Sequence, residues 1–202
     1  MPTFHPCIPL AMLWVSVAAG TSLAPEPAMA TEEPRYEQLL EEGEISLRRY
    51  PPRIVAETEV TGTLDQASSS GFRRIASYIF GANHARGGSS SERIAMTAPV
   101  GMERGGGGWL VNFVMPAKYT MATLPQPDDT QVRLRRIPER TVAVIRFAGL
   151  VDEEKVAAKT KRLGEWMATR RLEAASAPQL ARYNPPWTLP FLRRNEIQIS
   201  CR

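Results

Sequence analysis

The stretch ISLRRYPPRIVAETEVTG, Ile45 to Gly62, recurs in altered form as VRLRRIPERTVAVIRFAG, Val132 to Gly149, at a constant offset of 87 residues. Eight of the eighteen positions coincide: Leu47/Leu134, Arg48/Arg135, Arg49/Arg136, Pro51/Pro138, Arg53/Arg140, Val55/Val142, Ala56/Ala143 and Gly62/Gly149. A repeat at a fixed offset governs the architecture of the whole chain, so it is read first. Each copy begins with a short alternating strand ending in Arg-Arg, turns through proline, and continues as a second strand closed by glycine.

Helices follow in both copies. Leu64 to Phe80 carries Phe72, Ile75, Ala76 and Ile79 at helical spacing, with Asp65 near its start and Gly81 just past its end. Asp152 to Arg171 carries Val156, Leu163, Trp166 and Met167 among lysines and arginines, an amphipathic pattern. Two more strands are expected in each half. These are Arg93 to Met102 and Trp109 to Met115, then the neighbourhood of Arg182 to Trp187 and Glu196 to Cys201. The same offset lays IAMTAPV (94–100) on ARYNPPW (181–187) with one proline shared. Asn83 to Glu92, Glu103 to Gly108 and Tyr119 to Thr130 read as loops, and Thr31 to Glu42 as a lead-in. The expected class is α+β: two ββαββ units, about residues 44–116 and 131–202, giving eight strands and two helices around a twisted or barrel-like core.

With 202 residues, 43% hydrophobic and 23% charged, the chain has the composition of a globular protein. Ile8 to Gly20 is apolar except for Pro9 and Ser16, and Ala28-Met29-Ala30 precedes the polar Thr31-Glu32-Glu33. That is a secretory signal pattern, too short to span a bilayer, which needs about 20 residues. Residues 1–30 are therefore read as a signal peptide. The mature chain, 31–202, is expected to be exported, periplasmic or otherwise, with no membrane span after cleavage. Its one cysteine, Cys201, permits no internal disulfide. Removing residues 1–30 takes away Glu26 and no Lys or Arg, which leaves 25 basic against 20 acidic residues. This modest excess accompanies no nucleic-acid-binding motif. A monomer, or at most a weak dimer, is expected.

No HExxH pair, zinc-spaced cysteines, phosphate-binding loop or GxSxG elbow is present. Gly105 to Gly108 lies between two expected strands with no helix after it, so it reads as a hairpin loop. Asp128-Asp129 reads as turn chemistry, and His84 is the one histidine of the mature chain. An enzyme is not expected.

The strings YIFGAN (78–83), IAMTAPV (94–100), FVMP (113–116), RFAG (146–149), YNPPW (183–187) and RRNEI (193–197) occur in this order. Together they resemble the SOUL heme-binding protein family, over roughly residues 36 to 201. The resemblance implies a distorted eight-stranded barrel flanked by two helices. It also implies non-covalent binding of heme or another tetrapyrrole in a shallow apolar cleft beside the first helix, without enzymatic activity.

A porphyrin presents a flat apolar face and two propionates, which call for aromatic or aliphatic walls and a basic rim. On the first helix Ser69, Arg73 and Ser77 recur at four-residue spacing, flanked by Ala76 and Phe80. In some relatives basic residues matching Ser69 and Ser77 are thought to hold the propionates; here Arg73, or less directly Arg74, stands in. Tyr183, Trp187 and Leu189 form the expected second wall, with the alternative that Trp187 and Phe191 plug the barrel end. Some members have a histidine where this chain has Arg49. His84 is the remaining candidate axial ligand to iron, although a lone loop histidine is more often simply exposed. Met96 reads as core, Cys201 as able to ligate or dimerise if the terminus folds back, and Glu196 as either a cap or the partner of a neighbouring arginine. The rival readings are a same-fold module for another planar or amphipathic molecule and, with no motif in support, a cryptic hydrolase using His84.

Overall fold

The prolines that close the first strand of each copy decide how the sheet is wired. A two-residue hairpin turn needs positive φ at its first central residue, which proline, fixed near −65°, cannot supply. Pro51-Pro52 and Pro138-Glu139 therefore do not make hairpins, and each strand pairs across to the other copy. In the computed structural model, which describes Met1 and residues 31–202, β1 (Glu37–Glu42) precedes β2 (Ile45–Tyr50) and β3 (Arg53–Val60). Helix α1 (Leu64–Ile79), β4 (Asn83–His84), β5 (Val100–Gly105), β6 (Gly108–Val114) and β7 (Gln126–Pro127) come next. The second half holds β8 (Arg133–Ile137), β9 (Arg140–Ala148), helix α2 (Glu153–Thr169), β10 (Gln179–Arg182) and β11 (Arg194–Cys201). β2 pairs with β9 and β3 with β8, both antiparallel.

Nine strands make one sheet in the order β1-β2-β9-β11-β10-β5-β6-β3-β8, while β4 and β7 form a separate pair. The large sheet is open, with β1 and β8 as edges, and so corrects the expected barrel. Both helices lie on its apolar face, and a sheet whose apolar face is already covered has nothing left to close upon. The residues read as a lead-in supply an edge strand, β1. The 87-residue offset relates β2 to β8, β3 to β9, α1 to α2 and β6 to β11 to within three residues, but β10 begins eight residues before the place it assigns.

That last difference comes from proline. Pro185 and Pro186 have no N–H to donate to a ladder, so YNPPW leaves the sheet as a loop and β10 ends at Arg182. Residues 93–99 are likewise not a strand. Ile94 N–H donates to Ile79 O at 2.8 Å beyond the end of α1, and Ile94 is buried while Met96 is exposed, contrary to expectation. The glycine run is a hairpin turn, with positive φ at Gly106 and Gly107 between β5 and β6.

Alternation sends Val111, Met102, Leu180, Ile197 and Ile145, facing one another strand to strand, to the helix-covered side. There they join Leu64, Ile75, Leu163 and Met167 in one core. Cys201 is buried in the same core, which rules out its exposure at a loose terminus. Thr63, rather than Asp65, caps α1, in a capping box with Gln66; Asp152 caps α2 by accepting Lys155 N–H at 2.7 Å. Gly71 allows α1 to lie close on β6, since a Cβ there would come within 2.5 Å of Val111 Cγ2. Gly164 in α2 has nothing within 4 Å of such a Cβ. Gly71→Ala should accordingly destabilise the protein by about 1–3 kcal/mol through overpacking. Gly164→Ala should stabilise it by about 0.5–1 kcal/mol, and urea titration of the two variants checks both signs.

Candidate functional site

Helix α1 turns Leu64, Ala67, Gly71, Ile75 and Ile79 to the sheet, and this sets what its other faces offer. Ser69, Arg73 and Ser77 are exposed on one line, as their spacing requires. Ala76 is buried beneath it and Phe80 is half-exposed at its end, 5.7 Å from the Arg93 guanidinium. Ser77 Oγ donates to Arg73 O at 3.0 Å. Arg73 makes no ion pair among the described residues, whereas Arg74 is engaged by Asp129 at 3.4 Å and Thr58 Oγ1 at 3.0 Å. Of the two arginines, Arg73 is the one able to meet an anion.

The loop after β10 begins against the same helix. Arg182 donates to Ser68 Oγ at 3.2 Å and to Asp65 at 3.5 Å, so its root is tied to the first half of α1. Trp187, Leu189 and Phe191 are then 83%, 56% and 70% exposed. The barrel-plug alternative for Trp187 and Phe191 fails, because neither side chain is buried. His84 lies in β4 rather than in a loop, with Nδ1 2.7 Å from Asp128 Oδ1, and it is part-exposed. Arg49, the position where some relatives have histidine, pairs with Glu37 at 2.7 Å.

Tyr183 parts from this group. One residue after Arg182, it turns to the sheet face that carries no helix, and its hydroxyl donates to Glu196 Oε2 at 2.8 Å. Glu196 is wholly buried in β11. Arg48 Nη1 donates to both its oxygens at 3.1 Å, Arg194 Nη2 at 3.1 Å and Gln198 Nε2 at 2.9 Å. Burial pushes this carboxyl up, but Arg48, Tyr183, Arg194 and Gln198 together outweigh burial and hold it below the ordinary value of 4.5. Burial, with Glu196 beside it, also drives the Tyr183 hydroxyl far up, so it stays a neutral donor. The pairing of Glu196 with the neighbouring Arg194 is legible in RRNEI, and Gln198 lies two residues on in the same strand; Arg48 and Tyr183 reach it from β2 and from the loop after β10, which the local sequence does not convey. Among the described residues no cluster of three or more His, Cys, Asp or Glu side chains offers a metal site, and no helix is long and apolar enough to cross a membrane.

Residues 31–200 match the sequence pattern of the SOUL heme-binding proteins. The chain belongs to the SOUL family. This is a family of binding proteins, so membership agrees with the lack of catalytic motifs. No curated protein sequence matches the chain. Among solved structures, this SOUL protein resembles the EcmrR C-terminal domain, with a TM-score of 0.59 at 13% identity over 83% of this chain and 98% of that one. A hydrolase from Listeria innocua gives 0.56 at 12% identity, over 81% and 94%. An uncharacterized conserved protein from the same species gives 0.57 at 13%, over 77% and 92%. At such identities the likeness is one of fold.

A carboxylate whose pKa is lowered by the fold stabilises it above the unfolded value and loses that contribution as pH falls through the folded value. Wild-type stability should therefore fall with acid below about 4.5. Glu196→Gln should lose part of that slope. At pH 7 it should also be less stable by about 3 kcal/mol, because Arg48 would be left buried without its counter-charge; denaturant titrations across pH measure both effects.

Proposed function

We propose that this SOUL protein binds heme or a related tetrapyrrole without a covalent link, as an exported carrier, buffer or scavenger. Family membership over residues 31–200 supports the reading. The observation that carries it to a place on the molecule is the uncovered apolar loop, rooted against α1 through Arg182. Monomeric proteins seldom leave neighbouring large apolar side chains in water without a use for them. Trp187 and Leu189 supply a flat apolar wall, and Arg73, with Ser69 and Ser77 beside it, supplies the cation and hydroxyls for propionates. Ala76 and Phe80 complete the helix side. Tyr183 takes no part in the ligand wall; it anchors the loop to Glu196 instead.

Heme iron asks for an axial donor, and His84 is the side chain with that chemistry near the end of α1. Its Nδ1 faces a carboxylate, the kind of partner that orients metal-ligating histidines, so ligation would fall to Nε2. The apolar wall and Arg73 act alike on metal-free porphyrins, for which His84 is irrelevant.

Absorbance titration of the purified protein with hemin and with protoporphyrin should saturate at one equivalent for both. Trp187→Ala or Arg73→Ala should weaken each by about tenfold, equivalent to about 1.4 kcal/mol. His84→Ala should move the hemin Soret band and leave protoporphyrin affinity unchanged if Nε2 ligates; absence of saturable binding by either compound overturns the reading. Export is checked separately, by whether the native protein's N-terminal sequence begins at Thr31.

A further inference from the structure

On the helix-free face, the two arginines that the 87-residue offset superposes, Arg53 and Arg140, line one narrow pocket together with Tyr50, Gln179 and Gln198. Two like charges in one pocket are costly unless something answers them. Within the protein little does. Arg53 Nε and Nη1 and Arg140 Nε are buried and have no hydrogen-bond partner. Arg53 rests on the Tyr50 ring at 4.5 Å, a cation–π contact that leaves its N–H groups unspent. Glu103 lies near Arg140 without a hydrogen bond to it, and Glu57 is taken by Arg135 at 2.7 Å. Burial and the neighbouring Arg140 lower the Arg53 guanidinium to about 10, which still leaves it cationic at neutral pH.

The pocket measures only about 20 Å³, room for one small polar group. Beside it lies a cavity of about 680 Å³, and Pro34, Arg53 and Val114 belong to the walls of both. Ile54, Met115, Pro116, Tyr119 and Met121 make much of the larger cavity apolar. Its acidic side chains are already engaged: Glu33 with Arg194 at 2.9 Å, and Glu32 as acceptor of Ala117 N–H at 2.9 Å. Arg35 and Arg136, also on its wall, form no ion pair among the described residues. The volume is in the range of small-molecule sites, which are commonly apolar with a few polar groups fixing one end.

The geometry points to a second binding site, for a carboxylate-bearing amphiphile whose headgroup meets Arg53 and Arg140 and whose apolar body fills the adjoining cavity. The narrowness of the pocket selects a carboxylate over a bulkier phosphate, and the planar fork of a guanidinium suits two carboxylate oxygens. The Arg53 and Arg140 end of this site lies on the opposite face of the sheet from α1, and the site stands independently of the tetrapyrrole reading.

Decanoate and its uncharged analogue decanol are the probes, titrated by calorimetry into the purified protein. Decanoate should bind saturably at one equivalent and decanol at least tenfold more weakly. Arg53→Met keeps the side-chain bulk and removes an unanswered charge, so it should fold with an unchanged or higher Tm and lose at least tenfold in decanoate affinity. Arg140→Met provides the same test should Arg53→Met fail to fold. Trp187→Ala should leave decanoate binding intact, and Arg53→Met should leave hemin binding intact. The site is overturned if decanoate does not saturate, if decanol binds equally well, or if neither arginine variant changes the affinity. Competition between hemin and decanoate, lost together in Arg53→Met, would likewise overturn it as a separate site. Failure of hemin to bind at all, with decanoate binding intact, would count against the tetrapyrrole reading alone.

Discussion

A carboxylate shut off from water, Glu196, sits in a sheet face over which no helix lies, and four side chains from β2, β11 and the loop between β10 and β11 converge on it. Burying such a charge unanswered would cost several kcal/mol, so its partners must be in place together. They carry the chain around them into position. Arg48 stacks on the Tyr36 ring at 4.5 Å and Arg194 pairs with Glu33, which brings the segment before β1 across this face. Tyr183, held by Glu196, fixes the start of the exposed loop whose other tether, Arg182, is fastened to α1 on the opposite side. One ion cluster thereby links the N-terminal segment, the sheet and the loop proposed to meet a porphyrin.

The sheet has two faces of different chemistry because its strands alternate and only one side receives helices. The apolar side is packed by α1 and α2 into one core, and the rim of α1 and the loop beside it stay exposed. The other side is polar, holds buried arginines of which some are paired and others not, and has cavities. Arg48 is answered by Glu196, whereas Arg53 and Arg140 retain unsatisfied N–H groups. An unanswered buried cation is expensive for folding alone, and a ligand that supplies the missing charge recovers that cost on binding.

The resemblance carried by six short motifs located the family, yet several of those motifs have roles that their composition does not convey. YNPPW reads as a strand by its offset from IAMTAPV, but proline removes the N–H groups a ladder requires and the segment becomes a loop. Met96, in an apolar string, is exposed because that string runs past the end of α1 instead of lying in the sheet. Arg53 and Arg140 were conspicuous as a matched pair, but nothing local tells that two positions 87 residues apart share a pocket.

Sequence by itself determined the α+β class, the two helices with their buried stripes, the presence of a strand on either side of each proline turn and the membership of the SOUL family. These are properties of local periodicity and of short ordered strings, which neighbouring residues decide among themselves. Tertiary structure alone decided that the sheet stays open, that β2 and β3 part company to pair with strands of the other half, and that Tyr183 and Arg182 face opposite sides. It also decided which arginines are neutralised. Each of these depends on which distant strand lies alongside, and hydrogen-bond pairing and charge compensation across a sheet have no counterpart in the spacing of residues along the chain.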